Sequence, residues 1–312
     1  MKIAFTIDEL LLWEGTPMPR GYTPSTVLRG VVDALREHEV AGAYAFPHTQ
    51  PIAADPSRIE IIESWVDAGH HIGNHTHHHA CLNWLEAEAY CDDIERAEEF
   101  IGEFVEQAPT KYFRYAMDMT GRSEAKRGQV EDFLTERGYV NAPITAWFGD
   151  FAWTAPYARA IDTNDAPAVR MLRETYVDAA VAKLQEHAAG ARRLFGTDIP
   201  YIWLIHGTPP AQDLLVEILD RFRQLGAEFV TLEEAMRHPA HRSMPPVSGK
   251  FRNHLQRFGI PLGDEFGEVG LETLLKVTSA ALPEGENPMA VYDSLIDGMV
   301  ARSGGVRDWE WA

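Results

Sequence analysis

The chain has 312 residues, 45% of them hydrophobic, which suits one large α/β domain with a small appendage and argues against wholesale disorder. Its 28 basic and 47 acidic residues leave a formal net charge of -19, a surface that repels phosphate backbones and makes nucleic acid a poor partner. No apolar run reaches the length of a membrane span, and two cysteines, Cys81 and Cys91, are too few for a disulfide framework or a cysteine-based zinc site.

The N-terminus, MKIAFTIDEL, shows no cleavable leader, so the cytoplasm is the expected compartment. Lys2 to Ile7 reads as the first strand. Thr23-Pro24 supplies a cap and a first-turn proline for a helix carrying Val27, Leu28, Val31, Val32 and Leu35. Ala41 to Phe46 is a second strand, Ser57 to Ala68 a helix, and His71 to Asn74 a short third strand. Asn83 and Glu86 have the spacing of a capping box, opening a long helix with Ile94, Ala97, Ile101 and Val105 in register. The two cysteines fall in that one helical stretch and read as packing residues. Lys111 to Arg114 is the fourth strand and Ser123 to Arg137 a helix. Tyr139 to Thr145 is the fifth strand, followed by a long helix from about Ala166 to Leu194. Tyr201 to His206 and Ala227 to Thr231 close the series, each with its own helix.

Seven β-α units in strict alternation imply a parallel sheet with helices outside, and seven suit an irregular barrel better than an open doubly wound sheet. No glycine-rich dinucleotide fingerprint follows any strand. The catalytic domain is expected over residues 1–240. Prolines at 239, 245 and 246 mark a boundary, and residues 247–312 read as a mainly helical extension with pieces near Glu272 to Leu282 and Met289 to Arg302.

Chemistry collects at the predicted strand ends. His75-Thr76-His77-His78-His79 places four histidines in five residues, and a four-residue step on a helical turn would put His75 and His79 on one face, where they can share a metal ion. Asp8 and Glu9 end the first strand. A site with two histidines needs a further ligand and, for hydrolysis, a base, and adjacent carboxylates can divide those tasks. His206 ends the sixth strand and Arg114 the fourth, while Asp150 follows the fifth by a few residues. In barrel enzymes the C-terminal rim of the strands is where active sites form.

These residues resemble the polysaccharide deacetylase family, also called carbohydrate esterase family four, over roughly residues 2–238. Its Thr-Phe-Asp-Asp motif appears here as Thr6-Ile7-Asp8-Glu9, its His-Ser/Thr-x-x-His as His75-Thr76-His77-His78-His79, and its late Leu-x-His as Leu204-Ile205-His206. The resemblance implies an irregular β/α barrel that removes acetyl groups from sugars. It implies a divalent metal held by Glu9, His75 and His79, with zinc expected first and cobalt or nickel as alternatives. Asp8 is then the base, His206 the acid, and Arg114 and Asp150 their respective orienting partners. A backbone N–H near Met117 would help hold the oxyanion, and Thr76 would position the metal loop.

Three departures bear on substrate. Glu9 stands where the family has aspartate. The arginine motif continues Arg114-Tyr115-Ala116-Met117, without the family's proline and aromatic. The Asp-Trp motif survives only as Asp150-Phe151-Ala152-Trp153. The sequence therefore points to a metal-dependent hydrolase of a small or oligomeric N- or O-acetylated sugar or small amide. The alternatives are a ring-opening hydrolase of cyclic imides or amides and a catalytically silent binding relative. Neither nucleic acid nor membrane is expected as a partner, and self-association stays open.

Overall fold

A computed structural model describes residues 1–13, 15–258 and 269–306. Part of the expected 247–312 extension, residues 259–268 and 307–312, lies outside the described residues. In chain order the elements are β1 (Lys2–Asp8), α1 (Pro24–Glu37), β2 (Tyr44–Phe46), α2 (Gln50–Ala54), α3 (Ile59–Asp67), β3 (His71–Ile72), α4 (Ala87–Gln107), β4 (Tyr112–Phe113), α5 (Glu124–Glu136) and β5 (Val140–Asn141). They continue with α6 (Thr154–Asp162), α7 (Ala166–Phe195), β6 (Tyr201–His206), α8 (Pro209–Gln224), β7 (Glu228–Val230), α9 (Leu232–Met236), α10 (Pro239–Arg242), α11 (His254–Arg257), α12 (Leu271–Thr278) and α13 (Ala290–Arg302). Among the described residues no helix is long and apolar enough to cross a membrane.

All strand pairings are parallel, as alternating βα units require. β1 pairs with β6 along one edge from Ile3 to Asp8; its other edge is shared, β7 lying beside Lys2–Ala4 and β2 beside Thr6–Asp8. β2 pairs with β3, and β4 with β5. Single bridges join Asn74 to Phe113 and Ala146 to Trp203. Pairing therefore runs from β1 through β2, β3, β4, β5 and β6 back to β1, an irregular α/β ring in which the seventh strand is a wedge.

Period-two alternation along β1 decides which side chains face inward. Ile3, Phe5 and Ile7 join the large apolar layer under the surrounding helices, where Trp65, Trp153 and Trp203 are fully buried. Ala4 joins an inner cluster with Tyr44, Phe46, Tyr112 and Ile202, closed at one end by Leu232, Ala235 and Met236 of α9. Thr6 shares Ala4's face, and its hydroxyl accepts from the Arg114 guanidinium. Asp8, two residues on, is aimed by the same alternation into the open end of the ring.

Several local expectations differ from what forms. β2 to β5 and β7 are shorter than their apolar runs, since parallel pairing covers only two or three residues of each. Asn83 does not cap α4: its side chain accepts from Gly121 N–H and donates to the Ser248 carbonyl, and the helix starts at Ala87 after Glu86 with no side-chain cap. Cys81 consequently precedes the helix and only Cys91 lies in it; both are free thiols. α8 begins at Pro209, with proline in the first turn where its missing N–H costs nothing. α2, α6, α10 and α11 were not legible in the periodicity: α2, α10 and α11 are too short, and α6 runs straight into the turn before α7.

Candidate active site

β1 and β6 set the centre. Their register makes Asp8 and His206 direct partners at the ends of neighbouring strands. Asp8 is almost fully buried and receives the Arg114 Nη1 at 2.6 Å. Arg114 is held in turn by the Thr6 hydroxyl at 3.0 Å and the Ala142 carbonyl at 3.1 Å, with its guanidinium 4.0 Å from the centre of the Phe46 ring. The arginine is completely buried and its positive charge is compensated by Asp8, so it fixes the position of that carboxylate. The expected pairing of Arg114 with Asp8 is present.

His206 is fixed by Asp150. One carboxylate oxygen accepts the His206 backbone N–H at 2.8 Å, and the other sits 2.7 Å from Nδ1. This leaves Nε2 as the ring nitrogen available for chemistry. Burial pulls the imidazole down, but the charge and hydrogen bond of Asp150, reinforced by Glu9 and Asp8, win and raise it from 6.5 to about 9. It is therefore protonated at neutral pH.

The histidine run does not form the helical turn that its spacing suggested. It is a loop, with Thr76 at φ 68° and His79 at φ 56°. The loop still brings His75 and His79 together, with ring centres 4.9 Å apart. Gly73 starts it, and only a glycine fits there: a Cβ would lie 2.3 Å from the Phe46 ring. The Thr76 hydroxyl accepts the Ala80 N–H at 2.7 Å, and the Asn74 side chain accepts the Thr76 N–H at 2.8 Å. His77 and His78 face away from the strand ends. Both backbone N–H groups bond Asp93, His78 also bonds it through Nδ1, and His77 meets the Thr49 hydroxyl and stacks on Phe100. Two of the four histidines are therefore anchors and two face the site.

The inward pair is oriented through Nδ1. His75 Nδ1 lies 2.8 Å from the Arg114 carbonyl, and His79 Nδ1 lies 3.2 Å from the Ser303 hydroxyl. Their Nε2 atoms meet carboxylates, His75 at 3.8 Å from Asp8 and His79 at 3.4 Å from Glu9. Burial lowers both imidazoles and keeps them neutral, the form that ligates metals. Burial pushes the Glu9 carboxyl up to about 7, against the pull of His206 and Arg302, and Oε2 has no partner.

Among the described residues no three His, Cys, Asp or Glu side chains already form a metal-binding group. The donors nevertheless suit a cation. Two ligands on a tetrahedral ion with bonds of about 2.0–2.1 Å stand roughly 3.3 Å apart, and the Glu9–His79 separation of 3.4 Å is close to that while exceeding an ordinary hydrogen bond. The orphaned Glu9 oxygen is the kind of buried acceptor that a cation satisfies. His75 offers the third donor from beside Asp8, with its Nε2 turned to that carboxylate.

One residue escaped the sequence reading. His48, two residues beyond β2, is 1% exposed, has neither ring nitrogen paired, and lies 6.1 Å from the His79 ring centre. It stood alone after an apolar strand, and only the proximity of β2 to β1 reveals its place. Backbone strain also gathers here. Of the nine non-glycine residues at positive φ among those described, Glu9, Thr76, His79, Met117 and Asp118 belong to the site. Each costs on the order of 1–3 kcal/mol, and such strain persists where the surroundings hold it. Near Met117, the N–H groups of Asp118 and Met119 close the turn onto Tyr115 and Ala116.

Asp8, Glu9, His75, His79 and His206 line one cavity of about 60 Å³. Apart from Asp118 and Asn253 its other walls are apolar, among them Trp147, Phe251, Ile296 and Met299, so the C-terminal segment covers the open end of the ring.

Residues 4–124 match the family model described as Polysaccharide deacetylase. That part of the chain is similar to the polysaccharide deacetylases. No curated protein matches the chain. Among solved structures, a family 4 acetyl xylan esterase from Clostridium thermocellum, in complex with a cobalt ion, aligns at 19% identity over 76% of this chain and 91% of its own, with a TM-score of 0.48. A peptidoglycan deacetylase from Bacillus subtilis aligns at 19% identity over 75% and 91%, with a TM-score of 0.47. A carbohydrate esterase family 4 pseudoenzyme from Bacillus anthracis aligns at 15% identity over 75% and 65%, with a TM-score of 0.47.

Proposed function

We propose that the protein is a metal-dependent hydrolase that removes an acetyl group from a small N- or O-acetylated compound, with Glu9, His75 and His79 as ligands, Asp8 as base and His206 as acid. The observation that carries this reading is the pairing of opposite roles on adjacent strand ends: an arginine-held carboxylate, Asp8, in register with an aspartate-held, protonated imidazole, His206. A binding protein needs neither. A divalent ion at the ligand set would polarise the carbonyl and acidify a water. Asp8, held in place by Arg114, accepts the proton of the attacking water. His206 donates its Nε2 proton to the departing amine or alcohol, and Asp150 stabilises the imidazolium before transfer. A backbone N–H near Met117, other than those of Asp118 and Met119 that close the turn, would stabilise the developing oxyanion.

The cavity supports a small group at the reacting centre. About 60 Å³ admits a few waters or an acetyl group, and the missing proline and aromatic of the arginine motif favour a soluble acetylated sugar or amide over a polymer. Ring opening of a cyclic imide is the second reading, because the same acid and base serve it. Incubating metal-loaded protein with N-acetyl amino sugars and with cyclic imides, and assaying acetate, primary amine and substrate mass, separates the two. Acetate with free amine supports the proposal. A gain of one water without acetate supports the imidase, and turnover in neither panel contradicts both.

A further inference from the structure

A second cavity, of about 280 Å³, adjoins the first and shares Trp13, Phe151 and Leu295 with it. Its described lining contains no aspartate or glutamate, in a chain with 47 acidic residues, but it does contain Arg159 and Arg302. Neither arginine forms an ion pair among the described residues. Arg302, at the end of α13, stacks on Trp13 with its guanidinium 5.2 Å from the ring centre. Arg159 spends Nη2 on the carbonyls of Thr278 and Ala280, at 2.8 and 3.1 Å, and leaves Nε buried and unpaired. Thr154, at the start of α6, also lines the cavity; it is 3% exposed and its hydroxyl has no partner. Glu9 acts on Arg302 and Glu286 on Arg159 without forming an ion pair with either, so the Arg302 guanidinium, the Arg159 Nε and the idle Thr154 hydroxyl remain as donors, and a carboxylate is acceptor-only with geometry that matches a guanidinium.

We infer that this cavity binds a carboxylate carried by the substrate, so that the compound hydrolysed is an N-acyl amine with an acidic group a few bonds from the scissile amide. The inference rests on the hydrolase reading above. Arg302 and Thr154 become determinants of specificity, because a neutral analogue leaves them desolvated and unpaired, a penalty that discriminates more strongly than lost apolar contact.

The test uses N-acetylglycine, N-acetyl-β-alanine and N-acetyl-4-aminobutyrate, each beside its carboxamide, on the metal-loaded protein. At least one acid is expected to exceed its amide in kcat/KM by about tenfold or more, the scale of a charge-assisted hydrogen bond. Arg302→Met should reduce that ratio about tenfold, mainly through KM, and Arg302→Lys should restore part of it. Thr154→Val, a second variant should Arg302→Met fail to fold, should lower the ratio by several-fold. Equal use of acids and amides, or a ratio unmoved in the variants, overturns the inference while leaving the hydrolase reading standing. If no compound is turned over, the hydrolase reading fails for these amides, and calorimetric titration with the same acids decides the inference. Binding weakened about tenfold in Arg302→Met upholds it; absent or equal binding overturns it.

Discussion

Asp8 and Glu9 are neighbours with opposite surroundings, and that contrast predicts different losses. Asp8 answers an arginine, while Glu9 has one oxygen near His79 and the other unpaired. Asp8→Asn keeps the shape but removes the proton acceptor; turnover should fall by on the order of a hundredfold, the usual contribution of a general base, with metal content near normal. Glu9→Gln should weaken metal retention first. Metal analysis beside kcat for both variants checks the division, and exchanged phenotypes would reverse the two roles. His206 gives a pH prediction. Its folded-state value lies above 6.5, so the protonated form is favoured by the fold; that stabilisation is complete below about 6.5 and lost as pH rises through about 9. Activity that needs the acid should fall over the same upper limb. Asp150→Asn removes the largest influence that raises the imidazole and leaves burial to lower it, so the limb in a kcat profile should move to lower pH. A limb that stays in place would assign it to another group.

At the scale of elements, the histidine loop shows what sequence could convey and what it could not. The histidine run and the strand before it marked the site, but the four-residue spacing suggested a helical turn, whereas two left-handed residues and the bonds to Asp93 produce the convergence. Nothing local distinguished the inward His75 and His79 from the anchored His77 and His78; that assignment depends on Thr49, Asp93 and Phe100, from other parts of the chain. His48 was hidden for the same reason. Gly73→Ala tests the loop's seat. With a Cβ forced against Phe46, we expect destabilisation of about 1–3 kcal/mol, the usual range for overpacking, together with weaker metal retention, because the shift acts two residues before His75. Denaturant unfolding read at constant m, with metal analysis, measures both. Unchanged stability would mean that Phe46 yields freely.

For the whole molecule, alternation of apolar strands and amphipathic helices was sufficient to read the parallel α/β architecture, since each strand's register follows from which face it buries. The relation of the C-terminal segment to the site was not legible, because it consists of contacts distant in sequence: Ser303 to His79, the Ser303 carbonyl to Cys81 N–H, Ser248 to Asn83, and a fully buried ion pair of Arg257 with Asp118 at 3.3 Å. Arg257→Met should cost about 3–5 kcal/mol, the loss expected when one partner of a buried pair is left uncompensated. Urea unfolding measures it, and a change within about 0.5 kcal/mol, the scale of ordinary surface substitutions, would show that the segment does not stabilise the site. The central claim is one ion at Glu9, His75 and His79. The most direct measurement is metal content per chain by elemental analysis, for the native sequence and for His75→Ala/His79→Ala, after equal exposure to zinc and removal of the excess. The expected result is about one ion per chain in the first, as a single three-ligand site implies, and nearly none in the second; equal occupancy in both, or none in the first, would contradict the claim.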